Sequence, residues 1–392
     1  MILPTLPSRR RLLRGGAVLA VLAVAWVLRE RAVQLLPPDY DEDDYLRAGQ
    51  QYAVGLQAHD PGVLVRENYR PEHPQLMKLL YGAALTPLPP VAEIPDRPTT
   101  AEPDKGLPPV HLRAARQVSA VAGTLAVGLA ACLSLVGGVL LALHTFTIKY
   151  SAQVQLEAVP LLASALCVVA YDRSRVAATA RWSGWLLLSG AALGLTAASK
   201  YPFAIVGLVV LVHWAGARWL ARGAPSPGRA WPLLLGWGGL AVAIFLLVNP
   251  WLWPDPLGRL GSSFAYHFGY AHSPAVQKAA MPPWQPVAWL VRSAAGWHKG
   301  VFLPGADGVD LAFTLLAFAG LPRLGRERPL YLLWIGLALA FLFVWPTKWP
   351  QYVLLVVFPW SLAAAAGLRE VLAWAGAGVR RLREAPVAPG GT

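Results

Sequence analysis

Charged residues and cysteines are both scarce in this 392-residue chain. Only 14% of the residues are charged and 56% are hydrophobic, whereas a soluble domain usually carries about 25% charged residues. The two cysteines, Cys132 and Cys167, lie inside apolar runs, where cysteine behaves as a small hydrophobic residue. The sequence contains no Cys/His spacing typical of a metal site and no disulfide framework. These shortages exclude an ordinary soluble domain and a disulfide-stabilised secreted fold.

The sequence also lacks an internal repeat and a separate soluble domain, but it is rich in tryptophan. Many of the 17 Trp residues lie near the ends of apolar runs, as in WLWPDP and FVWPTKWPQY. Trp and Tyr collect at membrane interfaces because the ring is apolar while its N–H or O–H group binds water. The composition therefore predicts an all-α membrane protein with many spans.

A membrane-spanning helix needs roughly 20 apolar residues, and fewer when polar side chains at its ends reach the interface. By this criterion the chain contains ten candidate spans. They lie near residues 15–36, 114–134, 137–149, 156–171, 182–199, 202–220, 231–250, 308–321, 329–345 and 350–372. The first segment could instead be a signal peptide, because RRRLLRGG followed by an apolar stretch fits that pattern too.

The positions of the arginines predict the orientation of these spans. The apolar run 117–148 could form one tilted helix or two short ones. With a turn near Gly137 and Gly138, the short segments on the same side as the N-terminus are all basic, as the positive-inside rule requires. We therefore expect cytoplasmic termini, and the net charge of +13 then orients the protein and does not imply nucleic acid. The predicted regions are one transmembrane domain over 1–372, outer loops at 37–110 and 251–307, and a cytoplasmic tail at 373–392.

Acidic residues are concentrated in the first outer loop. Of the 21 Asp and Glu residues, 12 lie within 37–110. Four are adjacent in YDEDDYLRAGQQYA, namely Asp41, Glu42, Asp43 and Asp44. Apolar residues at helical spacing follow them, which predicts a short amphipathic helix on the outer surface with Asp39 or Asp41 as its N-cap. For Asp43 and Asp44 we expect no more than a charged helix start.

A second motif follows after about thirty residues, in ENYRPEHPQLMKLL. His73 and Pro74 open a second amphipathic helix. Leu76, Leu79 and Leu80 are expected on its apolar side, and Lys78 near the interface.

These motifs, in this order and on this side of the membrane, resemble the first outer loop of the GT-C glycosyltransferases. The similarity is to the family-39 type, which includes protein O-mannosyltransferases and the aminoarabinose transferases of lipid A. That family has an Asp-Glu pair after its first span, then His-Pro-Pro-Leu with a Lys two positions later. Here Gln75 replaces the second Pro. Later segments also resemble the family: Glu157 stands where Asp is usual, and Lys200 ends a glycine-rich span in LGLTAASKYP. The resemblance covers roughly residues 15–370.

The resemblance implies a GT-C-type helical bundle that transfers a sugar, with inversion, from a polyprenyl-phosphate donor to an acceptor hydroxyl. It implies Asp41 as general base and Glu42 as the residue that orients Asp41 or the acceptor. Because adjacent carboxylates disfavour double ionisation, we expect one pKa of the pair to rise. The implied contacts to the donor phosphate are His73, Lys78, Glu157, Lys200 and Lys348. A divalent ion near Asp41 and Glu157 is an alternative that the sequence leaves open.

The expected location is a bacterial inner membrane, with the site facing the periplasm. The acceptor is a lipid, a glycan or a protein, and nucleic acid is not expected. His267, His272 and His298 lie in the second outer loop, where poor metal spacing favours a loop that covers the donor or shapes the acceptor cleft. A transporter or lipid flippase is the main alternative. Transporters tend to show repeats and mid-membrane charges, which this sequence lacks. A non-catalytic scaffold would leave the Asp-Glu and His-Pro motifs unexplained.

Overall fold

The computed structural model describes residues 9–95, 106–176, 183–220 and 231–384, in which all regular secondary structure is helical. The expected all-α fold is therefore confirmed. The helices are α1 Arg9–Leu35, α2 Glu42–Gln57, α3 Val63–Arg66, α4 Leu76–Leu85, α5 Pro109–Leu133, α6 Leu135–Leu143, α7 Thr145–Tyr150, α8 Ala158–Val176, α9 Gly184–Ser199, α10 Ile205–Leu220, α11 Trp231–Leu247, α12 Pro256–Tyr270, α13 Pro274–Ala279, α14 Gln285–Val291, α15 Ala306–Glu327, α16 Pro329–Val344 and α17 Val357–Glu384. Short 3₁₀ turns occupy Tyr201–Ala204, Pro250–Leu252, Ala294–Gly296 and Pro350–Leu355.

Within the described residues, three helices are long and apolar enough to cross a membrane by length and composition. They are Leu12–Leu35 of α1, Pro109–Leu133 and Ala306–Glu327. Helices α9, α11 and α16 are apolar but shorter, as is the stretch Tyr201–Gly216. The count of ten spans therefore stays a prediction. Helix α17 continues to Glu384, so helix extends into the segment that was expected to be a tail.

The fold-back within the run 117–148 is present, but its turn lies earlier than expected. Helix α5 ends at Leu133, and the backbone of Ser134 is extended. The Ser134 side chain accepts a hydrogen bond from the Gly137 amide. Gly138 then packs against Ala131 so closely that an added Cβ would lie 2.7 Å from the Ala131 Cα. The glycines therefore permit close packing of α6 on α5, whereas the turn itself is made by Ser134.

Helices α15 and α17 pack closely through small residues. A Cβ added to Gly367 would collide with the backbone oxygen of Leu316, and one added to Gly320 would collide with that of Ala363. Small residues at such crossings let helix backbones approach and maximise van der Waals contact. The pair anchors the C-terminal part of the bundle.

Replacing Gly367 with Val should destabilise the protein, because the added methyl groups must push α15 and α17 apart. Overpacking of this kind costs roughly 1–3 kcal/mol, which is measurable as a lower thermal unfolding midpoint in detergent. Gly376→Val is the matched control, since no atom lies within 4 Å of a Cβ added at that position of the same helix. Equal midpoints for the two variants would contradict the close packing.

Beyond the spans, α2 and α4 pack against each other as two amphipathic helices. The buried face of α2 includes Tyr45, Leu46 and Tyr52, as expected. The face of α4 differs from the expectation: Met77 and Tyr81 are buried, and Leu76, Leu79 and Leu80 are only partly buried. The packing of α4 against α2 on one side and α5 on the other explains the rotation.

Candidate active site

Asp41 begins α2 in an unusual backbone conformation. Its φ of 68° and ψ of −6° lie in the left-handed region, which Asp tolerates better than most residues because its short polar side chain can bond locally. Its side chain makes no capping hydrogen bond to α2, and 41% of the side-chain surface stays exposed. The turn therefore directs the carboxylate away from the helix and into a cavity.

Glu42 lies on the opposite side of the same turn and is fully buried. Arg116 on α5 donates two hydrogen bonds to its carboxylate, at 2.9 Å to Oε1 and 2.6 Å to Oε2. The backbone amides of Val154 and Asp39 donate to the same carboxylate at 2.7 and 2.9 Å. Arg116 also donates to the carbonyl of Leu36 at 2.8 Å. Glu42 thus joins the end of α1, the start of α2 and the loop before α8.

The cavity that Asp41 faces, called here the Asp41 cavity, encloses about 140 Å³. Three of the residues implied by the family resemblance line it together: Asp41, His73 and Lys200. Its other lining residues are Tyr45, Arg70, Glu72, Tyr266, His267, Tyr270, Trp345, Pro346, Thr347, Trp349, Gln351 and Tyr352. Residues from four distant parts of the chain therefore form one aqueous recess beside the acidic turn.

Lys200 directly follows α9 and forms an ion pair with Glu157, the residue that precedes α8. Glu157 is fully buried, and its Oε2 atom has no hydrogen-bond partner in the described part of the chain. The Lys200 ammonium also lies 5.0 Å from the centre of the Tyr352 ring. Glu157 therefore acts behind Lys200 and does not itself line the cavity.

Arg70 is a site residue that sequence analysis missed. Its guanidinium lies 2.5 Å from Asp44, 3.7 Å from Asp41 and 3.6 Å from Glu72. Its side chain is 36% exposed, and its φ of 58° is again left-handed. The available signal was its position in NYRPEHP, a lone cation immediately before the His-Pro motif.

Lys78 does not reach the cavity or the membrane interface. It is fully buried, and its ammonium donates to the carbonyls of Tyr69, Arg70 and His73 at 3.1, 2.9 and 3.0 Å, and to the side-chain oxygen of Asn68. Burial lowers the pKa of Lys78 to about 7. The side chain points inward because the loop before α4 supplies these oxygens. Lys78 thus holds the loop that carries Arg70 and His73.

Lys348 also lies outside the cavity lining, although its neighbours Thr347 and Trp349 belong to it. Its ammonium donates to the backbone carbonyl of Trp345, and its own carbonyl accepts a hydrogen bond from the Trp289 indole at 2.7 Å. Of the three lysines implied by the resemblance, only Lys200 faces Asp41.

Burial raises the pKa of Asp41 to about 6, against the opposing influence of Arg70. The neighbouring Asp44 and Glu157 add to the rise, whereas Lys200 opposes it. The pKa of His73 is lowered well below its usual range by burial, and burial also lowers the pKa of His267. The two imidazole rings, 5.3 Å apart, are therefore neutral at pH 7.

Helix α12 contributes His267, Tyr266 and Tyr270 to the cavity, whereas His272 and His298 do not line it. His267 makes a hydrogen bond of 3.0 Å to the backbone oxygen of Glu72. Within the ranges that the structure describes, no group of three or more His, Cys, Asp or Glu side chains could hold a metal ion. The two acids considered for a divalent ion, Asp41 and Glu157, face Arg70 and Lys200 instead.

With this geometry in place, comparison with known proteins becomes informative. Residues 64–254 match the family model of dolichyl-phosphate-mannose-protein mannosyltransferases. ArnT from Cupriavidus metallidurans bound to undecaprenyl phosphate is similar in structure, with a TM-score of 0.55 and 18% identity over 90% of this chain and 60% of ArnT. The apo structure of ArnT gives a TM-score of 0.55 and 17% identity over 90% of this chain and 59% of ArnT. The chain has the GT-C fold. Its similarity to the protein O-mannosyltransferase family model over residues 64–254, and to ArnT in fold, agrees with the sequence motifs.

The S. cerevisiae Pmt1–Pmt2 complex bound to its sugar donor matches less closely, with a TM-score of 0.47 and 19% identity over 66% of this chain and 35% of that chain. No curated protein sequence matches this one. This GT-C chain spans about three fifths of the length of ArnT. The matched family range contains His73, Lys78, Glu157 and Lys200 but begins after Asp41.

Replacing Glu42 with Ala should strongly destabilise the protein, because it leaves the buried Arg116 guanidinium without its carboxylate. Removing one partner of a buried pair typically costs roughly 3–5 kcal/mol. The thermal unfolding midpoint in detergent measures the effect. Glu67→Ala serves as control, since Glu67 is an exposed acid of the same loop. A Glu42→Ala midpoint as high as that of the control would show that the pair is not structural.

Proposed function

We propose that this protein is a membrane glycosyltransferase that transfers a sugar from a polyprenyl-phosphate donor to an acceptor hydroxyl, with Asp41 as general base. The observation that carries the proposal is that Asp41 shares one cavity with two cations, Arg70 and Lys200. A base and a set of cations at one place are what this reaction requires. The face of the membrane on which the reaction occurs is proposed to be the periplasmic one, from the distribution of arginine.

A lipid-linked donor fits the position of the cavity. Lys200 directly follows the apolar helix α9, and Trp345 directly follows the apolar helix α16. The cavity therefore lies where two apolar helices end, at the level expected for a lipid phosphate whose tail lies along them. The structure of ArnT with bound undecaprenyl phosphate supports the same class of donor.

The proposed reaction is a single displacement. Asp41 accepts the proton of the acceptor hydroxyl as its oxygen forms a bond to the anomeric carbon, while the bond from that carbon to the phosphate oxygen breaks. The electron pair leaves with the polyprenyl phosphate, and attack from the opposite face inverts the anomeric centre. A pKa of about 6 leaves Asp41 ionised at neutral pH yet more basic than an ordinary Asp.

The leaving phosphate needs fixed positive charge. We assign Arg70 as its main contact, because a guanidinium binds phosphate with two parallel hydrogen bonds and is partly exposed here. Lys200, already paired with Glu157, adds a second charge at the cavity wall. Movement of Arg70 toward a bound phosphate would also withdraw its charge from Asp41. Lys78 and Lys348 act in this proposal as supports of the loops, and Glu42 as the anchor of the turn that directs Asp41.

A transporter is the second candidate, but the positions of the charges disfavour it. Transporters place substrate sites near the bilayer midplane, at interrupted helices. Here the charged cavity lies at the helix ends, and its floor is closed by the Lys200–Glu157 pair. Six tyrosine and tryptophan side chains line the cavity and offer rings on which a sugar can pack: Tyr45, Tyr266, Tyr270, Trp345, Trp349 and Tyr352.

Replacing Asp41 with Asn should lower sugar transfer by about 10²–10⁴-fold, the usual contribution of a general base. Transfer is measured with purified protein and undecaprenyl phosphate carrying glucose, mannose or aminoarabinose. Asp60→Asn, an exposed change in the same loop, should keep the activity of the unmodified protein. Native mass spectrometry with undecaprenyl phosphate should show retained lipid binding in both variants. Normal transfer by Asp41→Asn would exclude Asp41 as the base.

The rate should depend on pH through Asp41. Protonated Asp41 cannot accept a proton, so kcat/KM is expected to fall as the pH drops below about 6. Arg70→Gln should move this fall to higher pH, since the Arg70 charge lowers the pKa of Asp41. It should also weaken binding of undecaprenyl phosphate. Arg66→Gln, which removes an exposed charge paired with Asp60, is the control. An unchanged profile in Arg70→Gln would contradict the assignment.

A further inference from the structure

A second polar cavity, of about 280 Å³, lies far from the Asp41 cavity. Its charged lining residues are Asp172, Arg175, Glu327 and Arg328. Pro329, Leu330 and Tyr331 complete the lining. We call it the opposite-face cavity. The proposed reaction uses none of these residues.

The position of this cavity follows from two helices that connect it to the Asp41 cavity. Helix α8 begins next to Glu157 and reaches Asp172 and Arg175 near its other end; its 19 residues span about 28 Å at about 1.5 Å each. Helix α16 begins beside Arg328 and ends just before Trp345 of the Asp41 cavity. The distance between the two cavities along these helices is close to the roughly 30 Å hydrocarbon thickness of a bilayer. The cavity therefore lies at the level of the lipid headgroups of the other leaflet.

The four charges of the opposite-face cavity are not equally satisfied. Glu327 is held by Arg323 at 2.6 Å and Arg369 at 2.8 Å. Asp172 lies 3.7 Å from Arg175 with both side chains well exposed, which is a weak pair. Arg328 has no carboxylate within ion-pair distance in the described ranges and rests 5.9 Å from the Tyr331 ring. The cavity thus contains one cation without an ion pair among the described residues, Arg328, and one weakly paired anion, Asp172.

Tyr331 adds a polar group that has no partner. The residue is fully buried, and its hydroxyl has no hydrogen-bond partner among the residues described. Leaving such a group unpaired costs roughly 1–3 kcal/mol, so most buried polar atoms are paired with protein, water or a ligand. The wall of this cavity therefore contains a polar atom that no described protein group satisfies.

We propose that the opposite-face cavity binds the headgroup of a zwitterionic phospholipid of the phosphatidylethanolamine type. Arg328 and Arg175 would bind its phosphate, and Asp172 would accept hydrogen bonds from its ammonium group. An anionic headgroup would leave Asp172, whose pair with Arg175 is weak, without an ammonium partner, and a quaternary ammonium has no N–H to donate. In membrane proteins generally, pockets between helices are known to bind lipid headgroups. The site does not depend on the proposed sugar transfer.

The test compares lipids and variants in the full-length protein by native mass spectrometry. With equal amounts of phosphatidylethanolamine, phosphatidylglycerol and phosphatidylcholine of identical acyl chains, phosphatidylethanolamine should be retained preferentially. Arg328→Gln should lower its retention about tenfold, as expected for a lost charge-assisted hydrogen bond. Arg326→Gln is the matched control, because Arg326 lies two residues away and bonds the Pro322 carbonyl outside the lining. Asp172→Asn should abolish the preference over phosphatidylglycerol.

Two further measurements separate the site from a general effect on folding. Arg328→Gln should keep the unfolding midpoint of the lipid-free protein but reduce the stabilisation that added phosphatidylethanolamine provides. Free phosphoethanolamine at high concentration should displace part of the lipid if the headgroup is the recognised element. Equal retention of the three lipids, or equal losses in Arg326→Gln and Arg328→Gln, would overturn the proposal.

Discussion

A buried ion pair, between Glu42 and Arg116, connects the outer loop of this protein to its membrane-spanning helices. Arg116 belongs to α5, and its guanidinium also holds carbonyl groups at the end of α1. Such a pair is stable in the interior only because every oxygen of the carboxylate is bonded and the geometry is bidentate. The direction of the Asp41 carboxylate, and so the composition of the cavity, depends on this anchor one residue later in the chain.

The same turn explains why acidic residues are adjacent in the sequence. Consecutive side chains of a helix point about 100° apart, so neighbouring residues face different surroundings. Asp41 faces the cavity, Glu42 the bundle, and Asp44 the guanidinium of Arg70 and the hydroxyl of Tyr69. Asp41 and Asp44 share the Arg70 guanidinium, whereas Glu42 pairs with Arg116, so these cations partly offset the repulsion between the carboxylates. The acidic residues are adjacent because they contact different parts of the structure around the start of α2.

Two cavities lie at opposite ends of α8 and α16, so the helical bundle has a charged recess at each of these ends. One contains the Asp41 carboxylate with its raised pKa, two imidazole rings and two cations. The other contains the firmly held Glu327, the weakly paired Asp172 and an Arg328 with no carboxylate partner among the described residues. In both, the charged side chains lie at helix ends, where polar groups reach water or headgroups without crossing the hydrocarbon. The glycine-rich contact of α15 and α17 packs the bundle between these two levels.

Composition and the order of motifs determined the class of this protein. Scarce charge, interfacial tryptophan and long apolar runs can only be accommodated by a helical membrane fold, and the motifs YDEDDY and EHPQLMK indicated its relatives. The positions of Asp41, His73 and Lys200 near one another follow from that resemblance. The distribution of arginines, and not hydropathy, indicated that the run 117–148 folds back, though it could not show that Ser134 makes the turn.

Only the tertiary structure decided which cations face Asp41. Lys78 has the right position in the motif, but carbonyls of its own loop surround its ammonium, whereas Arg70 enters the cavity from a left-handed turn. The physical reason is that the direction of a long side chain depends on which acceptors surround it after folding. Sequence spacing contains no record of those acceptors, because they come from loops and helices that meet only in the folded bundle.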